Sequence, residues 1–224
     1  MTVAEDVLNG ILPVRLTGHY IYCAPWDRIV RLRGVQSIYL DLALRPEFTH
    51  KIIRRFTEMN AAKVDQMDAL GLFSCDIGSL HCTPSYSGEL EAIERKNGHP
   101  SRASCWFRGM AQAFAGVSPE MHEEFDIEYM RPLAERFGLT YYSCCEPLDD
   151  RLEQVMKIRN LRKVGAMPWA NINVMAEQLG SIYVPPENPI RRWSPVPSTR
   201  TPSGKRYVKL PRPASATAVH GTTR

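Results

Sequence analysis

The feature that most constrains the fold is an alternation of strand-like and helix-like segments in the second half of the chain. Residues 139–146 are apolar and strand-like, and residues 147–160 follow with apolar side chains at helical spacing. A second pair of segments consists of the strand-like residues 161–169 and the helical residues 171–180, and a last strand is expected at 181–186. Strands and helices that alternate with short connections are typical of βα units around a parallel sheet. This half of the chain therefore predicts an α/β fold.

A (βα)8 barrel of the TIM type fits this alternation better than an open, doubly wound sheet. No Gly-x-Gly-x-x-Gly follows a predicted strand and no Walker-type lysine loop is present, so the usual nucleotide-binding patterns are missing. Only about five βα units can be assigned, whereas a complete barrel has eight and usually needs about 250 residues. We therefore expect a TIM-type barrel that is incomplete in this chain.

The first half of the chain predicts one long helix and one short strand. Residues 45–72 carry apolar side chains near helical spacing. Pro46 suits the first turn of that helix, and Gly71 suits its end. Residues 73–78 then predict a short strand that opens into a long polar loop.

Two further elements are predicted between this loop and the second half. Residues 107–117 form an apolar segment and predict a strand. Residues 118–138 predict a helix, because Ser118 is a good N-cap residue and acidic residues crowd the first turn. His122 lies in that first turn, and we expect it on the surface of the helix.

Residues 188–224 differ abruptly in composition from the rest of the chain. They contain eight Lys or Arg and no Asp or Glu, and they are rich in Pro, Ser and Thr. Without apolar periodicity they cannot bury enough surface to offset their ordering entropy. We therefore predict a partial barrel domain at 1–187 and a disordered basic tail at 188–224. A nucleic-acid-binding arm is a less favoured alternative, since Trp193 and Tyr207 are its only aromatic residues. A third alternative is that the tail is not native coding sequence.

The sequence also predicts the compartment. Six cysteines are scattered along the chain in no pattern typical of a disulfide framework. No apolar segment approaches the roughly 18 residues that a membrane span needs. The acidic N-terminal segment does not resemble a secretory signal. We therefore expect a cytoplasmic protein that acts on a small molecule and has no membrane partner.

Polar residues follow several predicted strands. In TIM barrels the C-terminal ends of the strands and the loops after them form the active site. By this rule the candidate site residues are Asp76, His81, Gln112, Cys144, Cys145, Glu146, Asp149 and Trp169.

The segment Cys144–Cys145–Glu146 concentrates this chemistry at one strand end. Side chains alternate along a strand, so only one of the two thiols can face the interior of a barrel. The alternative is a pair of small buried residues without a chemical role. Glu146 and Asp149 are the acid–base candidates.

Two stretches resemble the uroporphyrinogen decarboxylase-like superfamily. Residues 116–171 contain the motifs Pro-Glu-Met-His-Glu-Glu-Phe and Cys-Cys-Glu-Pro-Leu-Asp, and residues 24–60 resemble the same subgroup. Together the resemblance covers most of residues 10–184. It implies a TIM-type barrel whose first strands lie upstream of Met1 and whose last strands should follow Val184.

The resemblance implies one of two activities. In the corrinoid-linked methyltransferases of this superfamily, a zinc ion held by a His-x-Cys strand end and a later Cys activates a substrate thiol. Cys145 falls on the ligand cysteine, Ser143 replaces the histidine, and no cysteine follows Cys145. The leading expectation is corrinoid-linked methyl transfer in one-carbon metabolism, with Cys145 as thiolate or zinc ligand and Glu146 and Asp149 as acid–base or orienting groups. The corrinoid would be delivered by a partner protein. Substrate contacts are expected from Asp76, His81, Gln112, Cys144 and Trp169.

Two alternatives stay open. The first is a decarboxylase of a carboxylated tetrapyrrole or aromatic acid, which would need neither metal nor corrinoid. The second is a truncated, catalytically silent fragment that acts only in binding. An incomplete barrel exposes strand edges, so we expect the chain to self-associate if the barrel is incomplete, whichever of these activities it has.

Overall fold

The computed structural model describes residues 2–14, 18–75, 85, 87–90, 99–143, 145–180 and 182. Eight α-helical segments are present in this part of the chain: α1 Thr2–Leu8, α2 Pro25–Arg33, α3 Val35–Leu44, α4 Pro46–Ala69, α5 Pro119–His122, α6 Glu128–Ala134, α7 Leu152–Val155 and α8 Ile172–Leu179. Short 3-10 turns lie at Arg102–Ser104 and Gln112–Phe114, and a π-helical turn, Glu123–Ile127, joins α5 to α6. In this described part, no helix is both long and apolar enough to cross a membrane.

Four short strands form one parallel sheet in the order of the chain. They are β1 Ile21–Cys23, β2 Trp106–Gly109, β3 Leu139–Tyr142 and β4 Leu161–Val164. Each strand is parallel to its neighbours. A separate parallel bridge joins His19, just before β1, to Phe73, just after α4.

The register gives the sheet two chemically different faces. Cys23, Phe107, Tyr142 and Val164 belong to the main apolar core together with side chains of α4, α6, α7 and α8, and we call this side the helix-covered face. Tyr22, Arg108, Tyr141 and Lys163 are register partners of one another across the four strands. They lie on the other side, which we call the Arg108 face.

Gly109 brings α6 close to the helix-covered face. A side chain at this position would collide with the thioether of Met130 on α6 and would press on the ring of Tyr142. The strand can therefore approach the helix only with glycine here.

A second apolar cluster packs α2, α3 and α4 against the turns after β2. It contains Trp26, Ile29, Ile38, Leu42, Ile53, Phe114 and Phe125. Trp26 is fully buried, and its indole N–H donates to the carbonyl of Phe125 at 2.9 Å. This tryptophan is therefore a core residue that connects α2 to the π-helical turn.

Several predicted elements are confirmed. The long helix is α4, which has Pro46 in its first turn, and the chain turns at Gly71 with φ of +64°. Two of the strand–helix predictions correspond to β3 with α7 and to β4 with α8. The α/β class with a parallel sheet is thus confirmed.

One predicted strand is largely wrong, and a second is described only in part. The expected strand at 107–117 ends at Gly109, because Phe114 and Val117 turn away to pack in the second apolar cluster. The expected strand at 73–78 is described only as far as Cys75, and there only Phe73 makes a bridge. The predicted strand at 181–186 and the tail lie outside the described residues, apart from Ile182.

Candidate functional site

Side chains from three strand ends meet above the C-terminal edge of the sheet. The hydroxyl of Tyr22, on β1, donates to the sulfur of Met110, just after β2, at 2.9 Å. Tyr22 and Cys145 pack against Met110 and Ala24. Cys145 is half-buried, and it follows β3 by three residues. The carboxyl ends of neighbouring parallel strands thus bring a phenol, a thioether and a thiol together.

Glu146, which follows β3 by four residues, is a buried carboxyl whose pKa is shifted towards neutrality. Its carboxyl is fully buried, and its Oε1 accepts a hydrogen bond from the backbone N–H of Ala111 at 3.3 Å. Burial raises the pKa of Glu146 to about 7, and the charge of Asp27 adds to the rise. The Ala111 N–H and the charge of Arg108 act in the opposite direction but do not cancel it. A carboxyl with this pKa both takes up and releases a proton near neutral pH.

Two buried basic side chains lie close to one tyrosine ring on the Arg108 face. The guanidinium carbon of Arg108 lies 3.7 Å from the centroid of the Tyr141 ring, and the Nζ of Lys163 lies 4.2 Å from it. All three side chains are almost completely buried. Lys163 also donates to the hydroxyl of Ser85 at 3.2 Å. We call this arrangement the cationic row, and the charge of its Arg108 acts on the carboxyl of Glu146.

Asp149 connects two loops at the same edge. Its Oδ2 accepts the backbone N–H of Asn171 at 2.8 Å. Asn171 in turn caps α8, since its side-chain oxygen accepts the N–H groups of Asn173 and Val174. Asp149 therefore orients the loop after β4 relative to the loop after β3, and it does not reach the buried carboxyl chemistry directly.

A second polar cluster, formed by Tyr142, Asp126 and His122, lies on the helix-covered face of the sheet. The Tyr142 hydroxyl donates to Oδ2 of Asp126 at 2.8 Å and lies 2.6 Å from Nε2 of His122. Because the hydroxyl proton points to Asp126, Nε2 of His122 must be the donor in the second bond. Burial, together with the charges of Asp126 and Glu146, raises the pKa of Tyr142 well above its usual value.

The expectation that His122 lies on the helix surface is wrong. The side chain is fully buried, and Arg151 approaches its other ring nitrogen to 3.5 Å. The π-helical turn places Asp126 within reach of both Tyr142 and His122. The partners come from β3 and from the turn before α7, and no local pattern in residues 118–138 announces them.

Two of the other predicted site residues, Gln112 and Trp169, are described, and both are exposed. The exposed fraction of Trp169 is 49 %. Asp76, His81 and Cys144 lie outside the described residues. Of the eight predicted positions, Cys145, Glu146 and Asp149 lie in the described segment that follows β3.

The residues that sequence reasoning missed are Arg108, Lys163 and Tyr22. A signal was present, because Arg108 and Lys163 are charged residues inside otherwise apolar strand segments. A buried charge lowers the stability of the fold unless an oppositely charged or hydrogen-bonding partner compensates it, so a charge in such a position often has a functional role. The alternation of the strand could also have placed both on one face.

Cys145 is the described residue that the resemblance implies as a zinc ligand. No three His, Cys, Asp or Glu side chains among the described residues lie close enough to share a metal ion. Ser143, which stands in place of the ligand histidine, is fully buried.

Comparison of the chain with protein-family models, with curated proteins and with solved structures finds no match.

Proposed function

We propose that the chain forms part of a TIM-type barrel enzyme of the uroporphyrinogen decarboxylase-like class that acts on a carboxylate-bearing small molecule. The sequential strand order supports the barrel part of this proposal. Right-handed crossovers between strands that follow one another in order place every helix on the same face. In the described part of the chain, the helices α4, α6, α7 and α8 contribute to the core on the helix-covered face. A doubly wound sheet would instead reverse its order and carry helices on both faces.

The observation that carries the chemistry is the buried carboxyl of Glu146 at a strand end, with a pKa raised to about 7. At neutral pH a substantial fraction of this group is a carboxylic acid, so it can donate a proton to carbon. In a decarboxylation, the C–C bond to the carboxylate breaks and carbon dioxide leaves. The electron pair that stays behind takes a proton, and Glu146 is the group that supplies it.

The cationic row supports the substrate class. Arg108 and Lys163 bring two basic side chains to the Arg108 face of the sheet, and the charge of Arg108 acts on the strand-end carboxyl of Glu146. A carboxylated aromatic acid or tetrapyrrole is attracted by such charge in a site that excludes water. The half-buried phenol of Tyr22 gives the same side an aromatic side chain that a flat substrate could contact.

Methyl transfer is the second candidate, and the position of Cys145 favours it. A half-buried thiol packs beside Tyr22 and Met110 at the same strand end, where the resemblance implies a thiolate or zinc ligand. In this case the corrinoid would come with a partner protein, and Glu146 would take up the proton of the substrate thiol.

The first experiment measures carbon dioxide release from carboxylated tetrapyrroles and aromatic acids by the full chain. We expect Glu146→Gln to lower the turnover at least about 100-fold, the usual scale for loss of a general acid. Glu58→Gln is the matched control, because Glu58 is an exposed carboxylate on α4 and should leave turnover unchanged. In deuterated water the product should carry deuterium at the carbon that lost the carboxyl group. Equal turnover in Glu146→Gln and wild type would refute the proposed role.

The second experiment separates the two candidates by metal content. Chain purified from zinc-supplemented medium is analysed for metal, together with Cys145→Ala. We expect less than stoichiometric zinc, because Ser143 stands where the histidine ligand is needed. Stoichiometric zinc that disappears in Cys145→Ala would favour methyl transfer over decarboxylation. Absence of turnover and of binding in every assay would favour a catalytically silent fragment.

A further inference from the structure

Two thiols meet at the N-terminal edge of the sheet, away from the strand-end site. Cys75 follows the bridge at Phe73, and Cys105 directly precedes β2. Their sulfur atoms are 3.5 Å apart, and the Cys75 thiol also donates to the carbonyl of Ser104 at 3.0 Å. A disulfide has an S–S length of about 2.05 Å, so the sulfurs need to approach by only about 1.5 Å. Small side-chain rotations cover such a distance.

The two thiols differ in access, as the two partners of an exchange reaction should. Cys75 is half-buried, whereas Cys105 is 2 % exposed. A small oxidant can therefore reach Cys75 first, and Cys105 lies within contact distance to complete the reaction. We propose that Cys75 and Cys105 form a reversible disulfide, with Cys75 as the attacking and Cys105 as the resolving cysteine. This proposal does not depend on the proposed enzymatic function.

The reaction balances with a low-molecular-weight disulfide as the oxidant. The thiolate of Cys75 attacks one sulfur of that molecule, a mixed disulfide forms, and one small thiol leaves. The thiolate of Cys105 then attacks Sγ of Cys75, the protein disulfide forms, and the second small thiol leaves. The two protein thiols lose two electrons to the small disulfide, and their two protons end on the two small thiols.

The bond would close the chain across residues 76–104. Its two ends are already anchored in the described structure. On one side, His19 and Phe73 are bridged; on the other, the N–H of Gly138 contacts the carbonyls of Arg102 and Cys105. A covalent link between these points restricts the unfolded chain and stabilises the folded one. It would do so without touching the strand ends that carry Glu146.

The test uses the full, reduced chain incubated with mixtures of reduced and oxidised glutathione, quenched in acid and alkylated. We expect the number of reactive thiols to fall from six to four. Trypsin should release residues 64–95 cross-linked to residues 103–108. The melting temperature should rise by on the order of 10 °C on oxidation and return to its starting value with dithiothreitol.

Variants identify the pair. Residues 64–95 contain both Cys75 and Cys82, so Cys82→Ala should keep the cross-link and Cys75→Ser should lose it. Cys145→Ser is a further control that should keep it. A cross-link that survives in Cys75→Ser, or six reactive thiols after incubation in fully oxidised glutathione, would overturn the proposal. Because Cys82→Ala and the wild-type chain decide the question without Cys75→Ser, a folding defect in that variant does not affect the conclusion.

Discussion

Tyr142 and Glu146 lie four residues apart and are both fully buried, yet their protons are held in different ways. The hydroxyl of Tyr142 is fixed between His122 and Asp126, and its raised pKa keeps the proton in place at any physiological pH. Glu146 has a pKa of about 7, so its proton exchanges near neutrality. Equal burial therefore does not imply equal roles. We expect the hydrogen bonds between Tyr142, His122 and Asp126 to stabilise the fold. We expect Glu146 to lower the free energy of unfolding at neutral pH, because its buried carboxyl is then partly ionised.

The largest expected effect is a pH dependence of stability that originates at Glu146. Burial raises its pKa from 4.5 to about 7, so the folded chain binds this proton more tightly than the unfolded chain does. The contribution to the free energy of unfolding is complete below about pH 4.5 and is lost as the pH rises through about 7. The loss amounts to about 3 kcal/mol.

Urea unfolding at about pH 5 and about pH 8 measures this difference. In Glu146→Gln the corresponding part of the pH dependence should disappear, whereas Glu58→Gln should behave like wild type, because Glu58 is exposed. If Glu146→Gln and wild type lose the same free energy between the two pH values, the contrast between Glu146 and Tyr142 does not hold.

The next effect is a loss of stability of about 2 kcal/mol in Tyr142→Phe. The substitution keeps the ring and removes the hydroxyl, so His122 and Asp126 lose their shared buried partner. Tyr129→Phe is the matched control. Tyr129 is half-buried and shares a hydrogen bond with His50 at 2.8 Å, and its loss should cost less than about 1 kcal/mol. The loss in free energy of unfolding is measured by denaturant melts. An equal loss in Tyr142→Phe and Tyr129→Phe would show that the hydrogen bonds of Tyr142 contribute no more to stability than the bond of a half-buried tyrosine.

The smallest effect concerns Asp149, whose Oδ2 accepts a hydrogen bond from the backbone N–H of Asn171. Asp149→Ala removes the acceptor of the Asn171 N–H and should cost about 1 kcal/mol or less. Amide hydrogen exchange at Asn171 should accelerate, whereas the N–H of Val174, which the Asn171 side chain caps, serves as an internal reference. Unchanged exchange at Asn171 would mean that another contact orients this loop.

The sequence predicted the elements whose signals are local. The helix α4 was predictable because Pro46, the apolar spacing and Gly71 all lie within its own segment. The strand at 107–117 was overextended because an apolar run does not reveal whether its side chains face a sheet or a separate cluster. Phe114 shows the difference, since its partner Trp26 lies far away in the chain.

The site was predictable only in part, and for a similar reason. Glu146 and Cys145 stood out because thiol and carboxylate occur together at one predicted strand end. The surroundings that set the pKa of Glu146 come from Ala111, Arg108 and Asp27, which lie on other elements. The prediction that His122 lies on the helix surface is wrong, because the residues that bury it, Tyr142 and Arg151, are distant in the sequence.

The order of the strands also has a consequence for how the chain assembles. β2, β3 and β4 follow one another within residues 106–164, whereas residues 24–105 separate β1 from β2. Closing a long loop costs more entropy and slows the formation of the contacts that depend on it. We therefore expect the three later strands to associate first, and β1, although it is synthesised first, to dock last. In folding kinetics, Ile21→Val in β1 should mainly accelerate unfolding, and Leu139→Ala in β3 should slow folding. A folding nucleus that includes Ile21 would reverse this order and would mean that α2, α3 and α4 hold β1 in place before the rest of the sheet forms.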